Sequence, residues 1–434
     1  MKSSALHALL ACAVLSLWMH IPRPAVAADY PSDLPPREMV EKALMGAPSV
    51  LAAKSLIQYE QANRARLDAG NYEWSVRLGQ QQRATRAAPG QRFNEWDLGL
   101  ERPLRLPSKA RIDGALGTHG VMQAGTAYGD AIHEASRSLL KGWFVWLRER
   151  ATREQWDAQV QTLQAQADAT ARRLALGDAP RLEAILAEAA LAQATAAREQ
   201  ARAKENAAAT DLSQRFPALA LPASVILATP QRLEGTPEYW LEQVFSHNHE
   251  LALARGDSKR AQLLASRADA DRTPDPTVGM RVMNERGGEE HIFGLSLTIP
   301  LTGQARSATA RGALAQADAA GHREGIVLAK LRAETLSLIQ GIDASVETWK
   351  RSQDAADRVR QAADLAARAH QLGEAALTDV LNARRLSNEA ALGARIARLD
   401  ALEQRYRLQL DAHQLWVFDR EEEGHDHRHE APAN

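Results

Sequence analysis

One stretch of this 434-residue chain does most to limit its fold: from Pro300 to Pro432 there is no intervening proline. It is rich in Ala, Leu, Arg, Gln and Glu, all strong helix formers, whereas a proline inside a helix costs about 3 kcal/mol. The stretch divides once, at Leu372-Gly373-Glu374-Ala375. A helix over 307–372 would run roughly 100 Å at 1.5 Å per residue, wider than a single globular domain. An earlier run repeats the arrangement. It is proline-free from Ser108 to Ala179, turns at Leu176-Gly177-Asp178-Ala179, and continues as a second helix to about Arg215. Two copies of a long helical hairpin therefore dominate the chain, as a tandem duplication.

Ahead of each helical hairpin the period changes. In Tyr72-Glu73-Trp74-Ser75-Val76-Arg77-Leu78 the even positions are apolar and the odd ones polar, which is a strand with one greasy and one wet face. After a polar loop over 83–92, the run from Asn94 to Glu101 alternates in the same way. In the second half Val278, Met280 and Val282 share one face. Beyond the Gly287-Gly288 turn, Leu295, Leu297 and Ile299 alternate with Gly294, Ser296 and Thr298. Each half thus holds a β-hairpin with strands of about ten residues, the length a tilted transmembrane strand needs. Glu73, Arg77, Asp97, Glu101 and Arg281 fall on the face opposite the apolar side chains. A basic residue facing lipid at mid-bilayer costs roughly 2–4 kcal/mol, so the charged face is expected to line water.

The segment over 38–69 has apolar residues at helical spacing, broken at Pro48, and 239–270 repeats it. Trp156, Val160, Leu163, Ala167, Thr170 and Leu174 step by four and three, an alanine-rich heptad pattern for closely packed helices. Trp143, Phe144 and Trp146 read as an inter-helix packing layer. The first residues read as a secretory signal over 1–27: Lys2, an apolar core from Ala5 to Met19, and Ala25-Val26-Ala27 before the cleavage point. Leu9-Leu10-Ala11-Cys12 suggests lipid attachment only weakly, because the apolar run continues to Met19. Cys12 is the one cysteine, so no disulfide is expected in the processed chain. The net charge is −1, and losing Lys2 and Arg23 makes it two units more negative; nothing argues for nucleic acid. The expected organisation is a signal (1–27), a first repeat (28–216), a proline-marked crossover linker (217–236), a second repeat (237–418) and a His- and Glu-rich solvated tail (419–434).

Duplicated halves of helix, β-hairpin and long helical hairpin behind a signal resemble the TolC-like outer-membrane factor family. The resemblance covers nearly the whole processed chain. Its most specific local match is Leu372-Gly373-Glu374-Ala375 followed by Leu377-Thr378-Asp379-Val380-Leu381-Asn382-Ala383-Arg384, which is similar to the family's periplasmic tip turn. The resemblance implies a mostly α protein with a small β part. Three copies would build a helical barrel across the periplasm and a 12-stranded barrel in the outer membrane, each copy giving four strands. Four strands alone cannot close a membrane barrel. It also implies a periplasmic adaptor and an inner-membrane pump as partners.

No catalytic motif is present, and neither an enzyme activity nor a cofactor is expected. The candidate pore residues are carboxylates near the tips: Asp178 and Glu183 in the first copy, Glu374 and Asp379 in the second. In a trimer each becomes a ring of three that favours cations. Two charges about 6 Å apart repel by only about 0.7 kcal/mol in bulk water, and by several times that in a poorly solvated pore. An arginine that some family members carry just after the turn glycine is replaced here by Glu374 and Ala375, so that clasp is not expected. In the tail, His425, His427 and His429 are a compositional metal signal, and imidazole suits zinc, cobalt, nickel or copper(II). They tilt the expectation toward the cobalt–zinc–cadmium efflux branch. The same channel serving drug efflux or type I secretion, or a periplasmic scaffold without a pore, are the alternatives. His247-x-His249 is set aside, because on a helix the two rings would diverge.

Overall fold

The computed structural model describes residues 30–86 and 88–418. The signal segment, Cys12 and the tail histidines lie outside the described residues. The chain divides into two units. The small one holds residues 30–35 and Pro222–Ala228. There Asp33, fully buried, accepts a hydrogen bond from the Ala228 amide at 3.2 Å, and Ser32 Oγ donates to Ile226 O. The large unit holds the remaining elements.

In chain order these are α1 (Arg37–Met45), α2 (Pro48–Ala69), β1 (Ser75–Ala84), β2 (Arg92–Pro103), α3 (Pro107–Ala175) and α4 (Arg181–Arg215) in the first half. The second half has α5 (Pro237–His247), α6 (His249–Ala270), β3 (Thr277–Glu285), β4 (Glu290–Thr298), α7 (Gln304–Gln371) and α8 (Leu377–Asp411). The order repeats element for element. Pro48, Pro107 and Pro237 each stand at the first position of a helix, where the missing N–H has no partner to lose.

Each long helix folds back on its neighbour through the same turn. Gly177 and Gly373 both have φ +78°, a left-handed backbone that suits glycine. The Asp178 amide donates to Arg173 O and the Gly177 amide to Leu174 O; the Glu374 and Gly373 amides repeat this with Ala369 O and His370 O. The pairs satisfy the last carbonyls of each helix as a Schellman motif. Trp143, Phe144 and Trp146 are buried, with Trp143 and Trp146 ring centroids 5.0 Å apart and Phe144 against Tyr406 of α8. They form a packing layer between helices. A second core joins Trp240, Val244, Leu251, Ile342 and Leu408 from α5, α6, α7 and α8.

The four strands form one antiparallel sheet in the order β1-β2-β3-β4. Two cross-strand rows make its apolar face: Val76–Leu100–Met280–Leu295 and Leu78–Leu98–Val282–Phe293. Leu78 and Leu295 are each 78% exposed, so no part of the described chain covers that face. Arg77, Asp97, Glu101 and Arg281 occupy the other. The strands of the first hairpin run further than their apolar alternation, to Ala84 and from Arg92. The polar ends are held by side chains: Glu95, buried, accepts from Gln81 at 2.8 Å and pairs with Arg83, which also reaches Glu285 of β3. Among the described residues no helix is long and apolar enough to cross a membrane.

Sheet and helices meet at a cluster of charges. Lys109 of α3 is 1% exposed, with its Nζ 3.0 Å from Asp275 and 3.1 Å from Asp271. Asp275 also accepts from Tyr72 Oη and from the Leu106 amide at the start of α3. Arg105 donates to Leu67 O and Asp68 O at the end of α2, and Arg306 to Asp271 O at the end of α6. These arginines bond the last carbonyls of the two helices, where positive charge is favoured.

One expectation is corrected here. His247 and His249 do not diverge, because no single helix carries them both. Asn248 is extended (φ −77°, ψ 114°) and its side chain caps α6 by accepting from the Leu251 amide at 2.7 Å. The helix breaks between the two histidines, and residues two apart across an extended position share a face. At the end of α8, His413 has φ +52°, a conformation that costs a non-glycine residue roughly 1–3 kcal/mol.

Burial opposes ionisation of Asp275, yet the bonds from Lys109, Leu106 and Tyr72 outweigh it and hold its carboxyl below the usual range; Asp271 is lowered in the same way by Arg267 and Lys109. Burial, then the bond to Asp275, pushes the Tyr72 hydroxyl up to about 12. A carboxyl lowered on folding contributes stability above its unfolded value, near 3.8, and loses it as pH falls through the folded value. Lys109→Met is therefore expected to destabilise the folded chain by about 3 kcal/mol at pH 7. The gap from wild type should narrow below about pH 4, as read by denaturant unfolding in detergent.

Candidate functional site

The hairpin tips bring together part of the predicted carboxylate set. Asp178 directly follows the turn glycine of the first copy, and Arg173 reaches back to it. Arg173 Nε lies 3.0 Å from Asp178 Oδ2, and its Nη2 donates to Asp178 O at 3.0 Å. Glu183, in the first turn of α4 and half-buried, is 3.8 Å from Arg173 Nη1. One guanidinium therefore serves both carboxylates of the first copy.

The second copy differs. Glu374 occupies the position equivalent to Asp178, but the residue equivalent to Arg173 is Ala369. Glu374 and Asp379 are both exposed. Asp379 stands in the first turn of α8, where the helix dipole favours an acid. Its neighbours Leu377 and Val380, each 1% exposed, turn inward. Leu377 packs on Ala167 of α3 and Ala187 of α4, so the second tip is seated on the first hairpin.

A residue the sequence reading passed over links the tips. His370, at the end of α7, has Nδ1 2.9 Å from Ala375 O and Nε2 3.4 Å from Arg173 Nη1. A carbonyl only accepts and an arginine only donates. Nδ1 therefore donates to the Ala375 carbonyl, and Nε2 faces the Arg173 guanidinium. The position after the second turn glycine is Glu374, so no arginine stands there. The clasp comes instead from four residues before Gly177 and crosses between the duplicated halves. Nothing in the local sequence marks it, since Arg173 and His370 are far apart in the chain.

The tips cap the helical end, and the bare apolar sheet stands at the opposite end of α3 and α7. Scans against protein-family models and curated proteins find no match. Solved structures do match. The CmeC outer membrane channel of Campylobacter jejuni aligns with TM-score 0.72 at 12% identity, over 86% of this chain and 84% of that one. CusC, whose structures concern folding and transmembrane channel formation, aligns with TM-score 0.74 at 11% identity, over 87% and 91%. The outer membrane protein VceC of Vibrio cholerae aligns with TM-score 0.66 at 17% identity, over 88% and 95%. At these identities the likeness concerns the fold: helical hairpins in tandem with a four-stranded sheet, as in outer-membrane channel proteins.

The Arg173 contacts are exposed enough that each is worth about 1 kcal/mol or less. Arg173→Ala is thus expected to leave the global unfolding midpoint nearly unchanged. It should speed amide exchange severalfold at residues 176–180 and at 370–376, but not in the sheet, as followed by mass spectrometry.

Proposed function

We propose that this chain is the outer-membrane channel of a tripartite efflux system and that its cargo is divalent heavy-metal cations. One observation carries the channel reading: a four-stranded sheet with an uncovered apolar face and two open edges, joined to helices of 69 and 68 residues that each fold back on a 35-residue helix. Open edges in lipid leave backbone groups unpaired at several kcal/mol each. Pairing β1 of one copy with β4 of the next removes them, and three copies close twelve strands. The charged face then lines an aqueous lumen, and the apolar rows meet lipid. The long helices carry the conduit into the periplasm, where the tips meet an adaptor and an inner-membrane pump. A scaffold without a pore would have no use for a bare apolar sheet face.

In the trimer, Asp379 and Glu374 become rings at the mouth, with Asp178 and Glu183 held back by Arg173. The rings favour cations. The metal assignment rests on this charge and on the tail histidines His425, His427 and His429. A deletion strain is expected to be sensitive to zinc, cobalt, cadmium, nickel or copper salts and not to dyes or antibiotics. The reverse pattern would keep the channel and make drugs its cargo.

Two further outcomes are expected. Leu98→Arg puts a cation at the middle of the lipid face on a central strand, a cost of roughly 2–4 kcal/mol per copy. It should abolish recovery of trimer from outer-membrane fractions, as judged by native mass after mild detergent extraction, while Arg77→Ala on the wet face should not. Asp379→Ala is expected to reduce cation selectivity in planar-bilayer recordings, and an unchanged reversal potential would remove the ring.

A further inference from the structure

α8 ends in the same turn that closes both hairpin tips, with one difference. The Gln414 amide donates to Gln409 O and the His413 amide to Leu410 O, the paired bonds of a Schellman motif. The left-handed position is glycine at both tips, but here it is His413, at φ +52°. Trp416, three residues on, also has a positive φ, +55°. A strained residue persists only where its surroundings hold it, and here they hold the ring. The His413 centroid lies 5.5 Å from that of His133 on α3, with planes 9° apart. It lies 5.2 Å from that of His247 at the end of α5, with planes 25° apart. His249, at the start of α6, is 5.2 Å from His413 and 6.2 Å from His133. Four histidines from three distant parts of the chain thus stack beside α3. Gly129 of α3 leaves room for them, since a Cβ there would stand 2.7 Å from His249 Cε1. Beyond the rings Leu415 and Trp416 are buried, and Arg37 of α1 donates to Val417 O at 3.4 Å.

Histidine ordinarily titrates near pH 6.5. Neutral rings tolerate this stacking, whereas two imidazolium rings repel. The charges around the group offset one proton better than two. Asp411 Oδ1 is 3.4 Å from His133 Nε2, so a first proton on His133 has a partner. Asp411 is already shared with Arg137 at 2.8 Å and Arg407 at 4.0 Å. Glu134 of α3 pairs with Arg137 at 2.7 Å, and Glu250 of α6 pairs with Lys330 of α7 at 3.0 Å. Asp130 of α3 is raised by burial and by Glu134, so it gives up its charge as the pH falls. A second proton in the group then stands against the first.

We infer that the four stacked histidines are a pH-sensitive latch. At neutral pH they pin residues 412–418 to α3 and to the α5–α6 junction, and in acid a second proton drives His413 off. Release also lets His413 and Trp416 leave the left-handed region, so their strain favours the released state. That state binds more protons, so latching weakens as the pH falls below about 6.5. The latch stands whether or not the chain is a channel and whatever its cargo.

The test uses the full-length chain in detergent with His425, His427 and His429 all changed to alanine, so that the tail takes no part. Amide exchange is followed by mass spectrometry from about pH 7.5 to about pH 5, across the range where histidine titrates, and corrected for the intrinsic effect of pH on exchange. Protection of 412–418 is expected to fall about tenfold on acidification, while that of β2 and β3 stays level. The fall should shrink to about twofold or less in His413→Asn, a residue that tolerates the left-handed backbone there, and in His249→Gln. Asp130→Asn should keep the fall and move it to higher pH. The melting temperature of each variant at neutral pH reports folding, and His247→Gln substitutes for any histidine variant that fails to fold. A fall no larger than that of the sheet, an equal fall in the histidine variants, or its loss in Asp130→Asn would overturn the latch.

Discussion

Lys109 holds the molecule together at the point where it changes character. It comes from the first half, and Asp271 and Asp275, its partners, come from the second. A buried ammonium is costly unless its charge is met at short range, and here two carboxylates meet it at 3.0 and 3.1 Å. Asp275 in turn receives the first turn of α3 and the Tyr72 hydroxyl ahead of β1. One amine thus ties the start of the first long helix, the approach to the first hairpin and the approach to the second.

The sheet and the helices solve different problems with the same chain. A strand hides its backbone only in its neighbours, so a four-stranded sheet with an apolar face is unfinished by itself. The helices satisfy their own backbones. Their alanines at heptad spacing let them pack closely along a length that no single core covers. Both ends of the duplication obey this division, and the charges on the wet face of the sheet, Arg77 beside Glu101 and Arg83 beside Glu95 and Glu285, keep one face polar throughout.

The halves are alike in backbone and unlike in chemistry. Gly177 and Gly373 make the same turn with the same two bonds, but one tip has Arg173 and the other His370. These meet each other, leaving Asp178 and Glu183 engaged and Glu374 and Asp379 facing solvent. The same divergence places His247, His249 and His413 in the second half against His133 in the first. The duplication supplied the frame, and the side chains that differ between copies make the contacts that cross it.

The long helices, their turns and the two hairpins were legible because each rests on local chemistry: proline exclusion, a left-handed glycine, and alternation with period two. The tip carboxylates were legible as residues next to those turns. The Arg173–His370 contact, the Lys109 cluster and the four-histidine group were not. Each joins residues more than a hundred positions apart, and nothing near either partner announces the other. The histidine pair failed for a smaller reason. One extended residue, Asn248, chose capping over helix continuation, and that reversed where His249 points. Local propensity and periodicity thus determined the elements and the faces they present. Only the tertiary structure decided which charges and rings meet, because burial and distance across the duplication are set by packing and not by neighbours in the chain.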